Sequence, residues 1–342
     1  MNSKIQVIKY FILFFLCLGT KYLSAQYYFD STYIKKYYNS AVWSLYQNYN
    51  NHSLFISQSF QKDTALNTEL NPIAESLTDV GFIYSDEKRF FSFNLYSVPN
   101  QPSKLKPIPK AINFLVGIND NNKVFEIGAN WFTGYYEKNS KNFVPNFNDS
   151  TPYYHYDNMK TTNAFINYIN FTNKRKFSYG AVYRGSALQK KSATSFVYYA
   201  SANYNSLKSD SAFIPIYVRN SYDKYGKMNK LNNAYLLVGV GYSATLVIKK
   251  VFFTNLTLMI GPGLQYQNYS FVNSTKSINA INTLLQGDIR YSIGLNFKHF
   301  YVISSSMISL KSYNMAKMGI TSGHLMNQLT LGLRLNRKGR IF

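Results

Sequence analysis

Alternation with a period of two is clearest in the last third of the chain. Val238, Val240, Tyr242, Ala244, Leu246 and Ile248 are interleaved with Gly239, Gly241, Ser243 and Thr245. Tyr291, Ile293, Leu295 and Phe297 alternate with Ser292, Gly294, Asn296 and Lys298, and Leu329, Leu331, Leu333 and Leu335 with Thr330, Gly332, Arg334 and Asn336. A period of two places each set on its own face of a strand. One face is greasy; the other is small, polar and in places charged. That is the pattern of a strand with lipid on one side and a wet or polar lumen on the other.

Alternation and aromatic content predict about fourteen strands, near 51–60, 75–84, 88–98, 111–119, 123–136, 161–171, 177–187, 194–206, 213–219, 233–248, 251–269, 282–297, 300–311 and 324–336. Pro215 interrupts one of them. The connections carry more information than the strands. Those at 86–87, 119–122, 172–176, 249–250 and 298–299 are short, whereas 61–74, 99–110, 137–160, 220–232, 270–281 and 312–323 are long. The link at 188–193 is shorter than its class should be, and 207–212 is intermediate. Tight periplasmic turns alternating with longer external loops are the signature of an outer-membrane barrel. A soluble β-sandwich has no reason to show that parity. The expected fold is therefore all-β: an antiparallel transmembrane β-barrel of 12–14 strands with both ends in the periplasm. The final Phe342 resembles the aromatic that ends many inserted barrels, but the alternation stops at Asn336.

The start of the chain reads as an export signal. Lys4 and Lys9 precede an apolar core from Tyr10 to Gly19, and Leu23-Ser24-Ala25 ends in a small residue suited to signal peptidase. Ten apolar residues fall short of the about 20 a membrane-spanning helix needs. The expected organisation is a cleaved signal peptide at 1–25, an N-terminal periplasmic segment at 26–50 with a short helix, and a barrel domain at 51–342. Cys17, the one cysteine, lies in the signal and does not follow the small residues of a lipoprotein signal, so the mature chain carries no thiol. No later stretch approaches 18 consecutive apolar residues.

Composition supports the barrel. Tyr (32) and Phe (26) are abundant in a chain with only 15% charged residues, and aromatic side chains suit strands and lipid–water boundaries. The formal charge of +22 would ordinarily suggest nucleic acid, but an exported chain meets little of it. The expected neighbours are outer-membrane lipid, lipopolysaccharide phosphates and the machinery that inserts barrels. Basic turns such as Asn173-Lys174-Arg175-Lys176 read as solvated strand ends.

Two blocks carry a family resemblance. One runs Thr172-Asn173-Lys174-Arg175-Lys176-Phe177-Ser178-Tyr179-Gly180-Ala181, then Gln189-Lys190-Lys191-Ser192-Ala193-Thr194-Ser195-Phe196, to Leu207-Lys208-Ser209-Asp210-Ser211. The other is Val238 to Val247 with Gly261-Pro262-Gly263 after it. Together they resemble a Bacteroidota family of exported proteins known as domain of unknown function 4421, from about residue 50 to the end. Thr194 departs from a position where the family tends to have glycine. The resemblance implies an outer-membrane setting and supplies no activity or catalytic residue. On the sequence, the Gln189–Phe196 block belongs to an external hairpin, with Lys190 and Lys191 facing headgroups or the lumen.

Catalytic, cofactor and metal residues are expected to be none. His52, His155, His299 and His324 are scattered, Ser304, Ser305, Ser306 and Ser322 lie near two of them in sequence, and no Gly-x-Ser-x-Gly elbow is present. His155-Tyr156-Asp157 lacks metal-ligand spacing, and Gly239-x-Gly241 lies inside a strand, where glycine relieves crowding. Asp30-Ser31-Thr32, Asp63-Thr64-Ala65, Asp149-Ser150-Thr151 and Asp210-Ser211-Ala212 look like O-glycosylation signals. The expected function is a non-enzymatic envelope scaffold or narrow polar pore. Two alternatives stand beside it. A lipid-modifying enzyme needs one His and one Ser to converge near a strand end; a soluble periplasmic β-sandwich would bind a ligand.

Overall fold

The computed structural model describes residues 29–38, 40–58, 69–86, 88–99, 105–120, 122–156, 158–274, 276–315 and 318–336. The expected signal peptide, the tail 337–342 and the Asp63-Thr64 triplet lie outside them.

In chain order the strands are β1 Ile34–Lys36, β2 Ser40–Gln58, β3 Pro72–Ser85, β4 Arg89–Pro99, β5 Lys110–Asp120, β6 Lys123–Thr133, β7 Tyr135–Glu137, β8 Lys160–Phe171, β9 Ala187–Gln189, β10 Ala193–Lys208, β11 Met228–Ile248, β12 Phe252–Phe271, β13 Ser277–Asn296, β14 Phe300–Met315 and β15 Met318–Asn336. Leaving out β1, β7 and β9, the other strands pair antiparallel in sequence order, and β15 returns to β2 with Asn336 opposite Ser40. The result is a closed twelve-stranded barrel with both strand termini at one end. Closure joins the last strand of the ring to the first and rules out the two facing sheets of a sandwich.

The period of two sorts the side chains as the sequence requires. Each strand of the ring shows solvent-exposed apolar residues on its outer face: in ring order Leu45, Val80, Leu95, Ile112, Ile127, Tyr168, Phe196, Val238, Leu258, Ile281, Leu310 and Leu331. The inner face carries buried amides and hydroxyls, among them Asn48, Asn203, Asn233, Ser243, Asn255, Thr257, Gln265, Gln286 and Ser292. Glycines on that face are seats for rings. A Cβ on Gly239 would collide with the Tyr199 ring, and one on Gly332 with the Tyr301 ring.

The wall is uneven in height. β11 has 21 residues and β12 and β13 have 20 each. At about 3.3 Å per residue each runs about 65 Å, so even tilted they project beyond a hydrocarbon layer of about 30 Å. β4, β5 and β6 have 11 residues each, close to the minimum for a crossing.

Several expectations are corrected. The first barrel strand begins at Ser40, so residues 40–50 belong to the wall and not to a periplasmic helix. Residues 177–187 form no barrel strand: Tyr179–Tyr183 is a short helix, α1, with the Ser178 side chain accepting from Ala181 N–H. The alternation of Phe177, Tyr179 and Ala181 is misleading there because Val182 is buried as well, so the segment is enclosed on all sides. Residues 213–219 are not a strand either. Pro215 starts two short 3-10 turns over Ile216–Lys227, joined by a kink at Tyr222 and Asp223. Removing those two strands takes fourteen to twelve. The connections at 270–281 and 312–323 shrink to 272–276 and 316–317, because the tall strands continue through them.

Candidate functional site

The whole of 172–192 links β8 to β10 at the end that carries the short turns 86–88, 121–122, 249–251 and 297–299. It is a 21-residue insert, and it folds inward. Phe177 stacks on Phe171 of β8, with ring centroids 4.7 Å apart. Tyr183 donates to Asn255 Oδ1 of β12 at 2.6 Å. Asn296 of β13 donates to the Ala181 and Ala187 carbonyls at 3.3 and 3.0 Å, and Ser85 of β3 to the Arg184 carbonyl at 3.4 Å. Gly185, at φ +63°, ends α1 and lies beneath the Tyr301 ring, a left-handed position that favours glycine after a helix. Arg334 of β15, fully buried, donates Nε to the Gly185 carbonyl at 2.8 Å and Nη2 to Asn296 Oδ1 at 2.5 Å. Partners therefore come from β3, β8, β12, β13 and β15, right across the lumen. The insert is a plug.

A buried ion cluster fastens it. Glu126 of β6 lies 3.6 Å from Arg184 of the plug and 3.4 Å from Arg290 of β13. Tyr179 donates to the same carboxylate at 3.0 Å, and the Arg184 guanidinium sits 4.0 Å above the Phe90 ring of β4. Isolated surface ion pairs contribute little, but here the Glu126 side chain is only 4% exposed, so losing one partner strands the others in a low dielectric. Glu126, Arg184 and Arg290 were not picked out by sequence. The available signal was their position: charges in mid-strand on the inward register, and an arginine followed by glycine in the insert.

Of the Gln189–Phe196 block, Gln189 to Ser192 are part of the plug at the short-turn end and Ala193 to Phe196 begin β10, so the block is not an external hairpin. Gln189 ties both ends of the insert together. Its Oε1 accepts from Ser178 N–H at 3.1 Å, and its Nε2 donates to the Lys176 and Lys191 carbonyls at 2.5 and 3.0 Å. β9 pairs with β1, Lys190 donates to the Ser31 carbonyl at 2.8 Å, and Lys176 and Lys191 lie 5.0 and 5.2 Å from the Tyr33 ring.

Connections 134–159 and 209–227 fold over the opposite mouth. β7 pairs with the start of β3. Glu137 is buried and accepts from Asn71 N–H at 2.8 Å, Asn139 N–H at 2.8 Å and Tyr156 OH at 2.7 Å. Burial nonetheless holds its pKa above the ordinary carboxylate value, the hydrogen bonds opposing the shift. Tyr222 donates to the Ile56 carbonyl of β2 at 3.3 Å, and the Tyr225 ring meets Tyr269 of β12 at 6.0 Å.

Between plug and cap lies a chamber of about 190 Å³, room for about half a dozen waters. Amides recur in its lining, among them Asn48, Asn94, Asn113, Asn163, Asn167, Asn203 and Gln286, with Lys311 and Asp288 beside them. The Asn48, Asn113, Asn163 and Gln286 side-chain oxygens are buried with no protein partner.

Two of the four histidines meet in this chamber. His52 and His324 are direct cross-strand partners on β2 and β15, with ring centroids 6.4 Å apart. Ser322 lies on β15, not in a loop, and its Oγ is 3.1 Å from His52 Nε2. Tyr135 OH is 2.7 Å from His52 Nδ1 and 2.6 Å from Thr161 Oγ1. One Ser and one His therefore do converge, facing the lumen under the cap and away from lipid. The His155 ring lies 3.0 Å from the Leu105 carbonyl, and His299 sits in the β13–β14 turn. Among the described residues no three His, Cys, Asp or Glu side chains gather as a metal site. Of the glycosylation triplets, Ser31 and Ser150 are exposed and Ser211 is half-buried.

No curated protein matches the chain in sequence. Among solved structures it is similar to the toluene transporter TodX of Pseudomonas putida, at 6% identity over 86% of this chain and 89% of that one, with a TM-score of 0.28. A FadL homologue of Pseudomonas aeruginosa is 6% identical over 87% and 91%, with a TM-score of 0.29. The outer-membrane protein OmpT of Vibrio cholerae is 10% identical over 88% and 99%, with a TM-score of 0.25. Superpositions this loose carry no argument about mechanism. The sequence profile of one family, by contrast, matches residues 29–334, which takes in plug, wall and cap alike. The chain belongs to the family described as Domain of unknown function (DUF4421).

Proposed function

We propose that this protein is a non-enzymatic outer-membrane β-barrel whose polar lumen is held shut by its own insert. The outward apolar residues on all twelve strands support a bilayer setting, since water would leave that surface uncompensated. The observation that carries the closed-lumen reading is the plug itself: residues 172–192 bond to strands on every side of the lumen and are pinned by Glu126. Both strand termini lie at the plugged end, which makes it the periplasmic one. Outer-membrane lipid, lipopolysaccharide and the barrel-insertion machinery are the partners this reading calls for.

Planar-bilayer recording tests it. The intact protein is expected to show no steady conductance, and excision of 177–190 to give stable channels. Steady conductance of the intact protein, or silence after excision with a heat-modifiable gel band retained, would defeat it.

A second reading rests on the Ser322–His52 contact. If Tyr135 donates to Thr161, His52 Nδ1 carries the proton and Nε2 is free to accept from Ser322, the arrangement a hydrolase needs. A fluorophosphonate probe that labels the protein at Ser322, and not after Ser322→Ala, would favour the enzyme over the closed barrel.

A further inference from the structure

The barrel wall has one weak seam. Elsewhere neighbouring strands pair over nine residues or more, as in β3–β4, and up to nineteen, as in β15–β2. β4 and β5 pair over only five, from Arg89 opposite Ile118 to Phe93 opposite Phe114. The cause is a bulge. Gly81 faces Asn94 and Val80 faces Tyr96, so Leu95 is the extra residue. A bulge bends its strand, and this one keeps β4 on β3 as far as Pro99 while β5 stays on β6 from Lys110 onward. Beyond Phe93 and Phe114 the described residues of the two strands form no further ladder pairs. The seam opens about 15 Å along the strand from the short turn, in the leaflet on the cap side. Unpaired backbone is not tolerated against hydrocarbon unless something else meets it.

The two sides of the seam differ in chemistry. Outside, Leu95, Ile112 and Phe114 are 58%, 62% and 45% exposed. Inside, Asn113 Nδ2 donates to Asp79 Oδ2 at 3.3 Å, while Asn113 Oδ1 and the deeply buried Asn48 Oδ1 have no partner. Phe114 points outward at this seam and borders the same cavity as Asn48 and Asn113.

We infer that the β4–β5 seam is a lateral binding site for a single-chain membrane amphiphile, with its acyl chain between the strands and a hydroxyl-bearing head donating to the chamber amides. The chain supplies apolar contact to Leu95, Ile112 and Phe114, and the head supplies the donors that Asn48 and Asn113 lack. The inference rests on the reading that the outer face meets a bilayer.

The test is photolabelling of the full-length protein in vesicles with a monoacylglycerol carrying a diazirine in its acyl chain. Adducts are expected to be at least fivefold denser on residues 94–95 and 112–115 than on Leu256, Leu258 and Ile260, lipid-facing residues of β12. Deleting Leu95 removes the bulge and lets β4 pair with β5; an oxidised Leu95→Cys/Ile112→Cys pair staples the seam. Either change should bring the seam down to the β12 level, and reduction of the staple should restore it. Seam labelling no denser than β12, or unaffected by both changes, overturns the inference and leaves the membrane reading intact. Adducts missing from β12 as well overturn both. Cross-links between two copies at 94–99 would assign the seam to a second chain instead.

Discussion

Replacing Glu126 by Gln should open the barrel. The side chain is 4% exposed and is shared by Arg184 of the plug and Arg290 of the wall at 3.6 and 3.4 Å. Glutamine keeps the shape and removes the charge, leaving two buried guanidinium groups facing each other. Losing one partner of a buried ion cluster costs about 3–5 kcal/mol. Docking of the insert bears most of that cost, because only undocking lets Arg184 reach water. At 1.36 kcal/mol per decade the ratio of open to plugged barrel should rise by about two to four orders of magnitude. Single-channel recording in planar bilayers reads this directly, as openings that are rare or missing in the parent. A triple variant with Met at 126, 184 and 290 should close again, since a buried ion cluster can be replaced by apolar side chains of similar volume without loss. If Glu126→Gln is as silent as the parent while keeping a heat-modifiable band, the latch argument is wrong.

Other consequences are open to test. Gly239→Val should push the Tyr199 ring off its seat and destabilise the barrel by about 1–3 kcal/mol, seen as a lower heat-modification midpoint; Tyr199→Ala in the same chain should recover part of it. The β11–β12 turn holds Lys249 and Lys250 at φ 51° and 62°, a geometry that favours Asn-Gly, so that replacement should raise the same midpoint. Glu137 gives the cap a pH dependence: its pKa is raised by burial, so the folded cap favours the protonated form. That stabilisation is complete below the ordinary glutamate value of about 4.3 and is lost as pH rises through the raised one. Limited proteolysis within 134–159 should accordingly be slower at pH 4 than at pH 8, and Glu137→Gln should abolish the difference. Finally, glycans on the exposed Ser31 and Ser150 would make the native protein heavier than the bare chain from Gln26; an intact mass equal to the bare chain removes that proposal.

The wall was readable because a strand in a barrel wall obeys a local rule. Val238 to Ile248 must alternate whatever their partners, since lipid lies on one side and polar groups on the other, and the parity of the turns then sets the direction of each strand. The plug was not readable, because the same rule fails inside a lumen. Phe177, Tyr179 and Ala181 alternate like a strand, yet Ser178 and Gly180 between them and Val182 after them are equally buried, and enclosure on all sides makes periodicity silent. The short link at 188–193 hinted at the error: counted as a plug, 172–192 restores the alternation of turn and loop without two spurious strands.

Sequence alone determined that this is a β-barrel with a greasy outside and a polar inside, because those properties are written residue by residue along each strand. It also carried the family, through a block whose Gln189 turns out to tie the plug together. Only the tertiary structure decided what fills the lumen. Glu126, Arg184 and Arg290 are 58 to 164 positions apart in the chain, as are Ser322 and His52 by 270, and they meet only because the ring closes. The seam between β4 and β5 is tertiary for the same reason: one extra residue, Leu95, has no meaning until its two neighbouring strands are known.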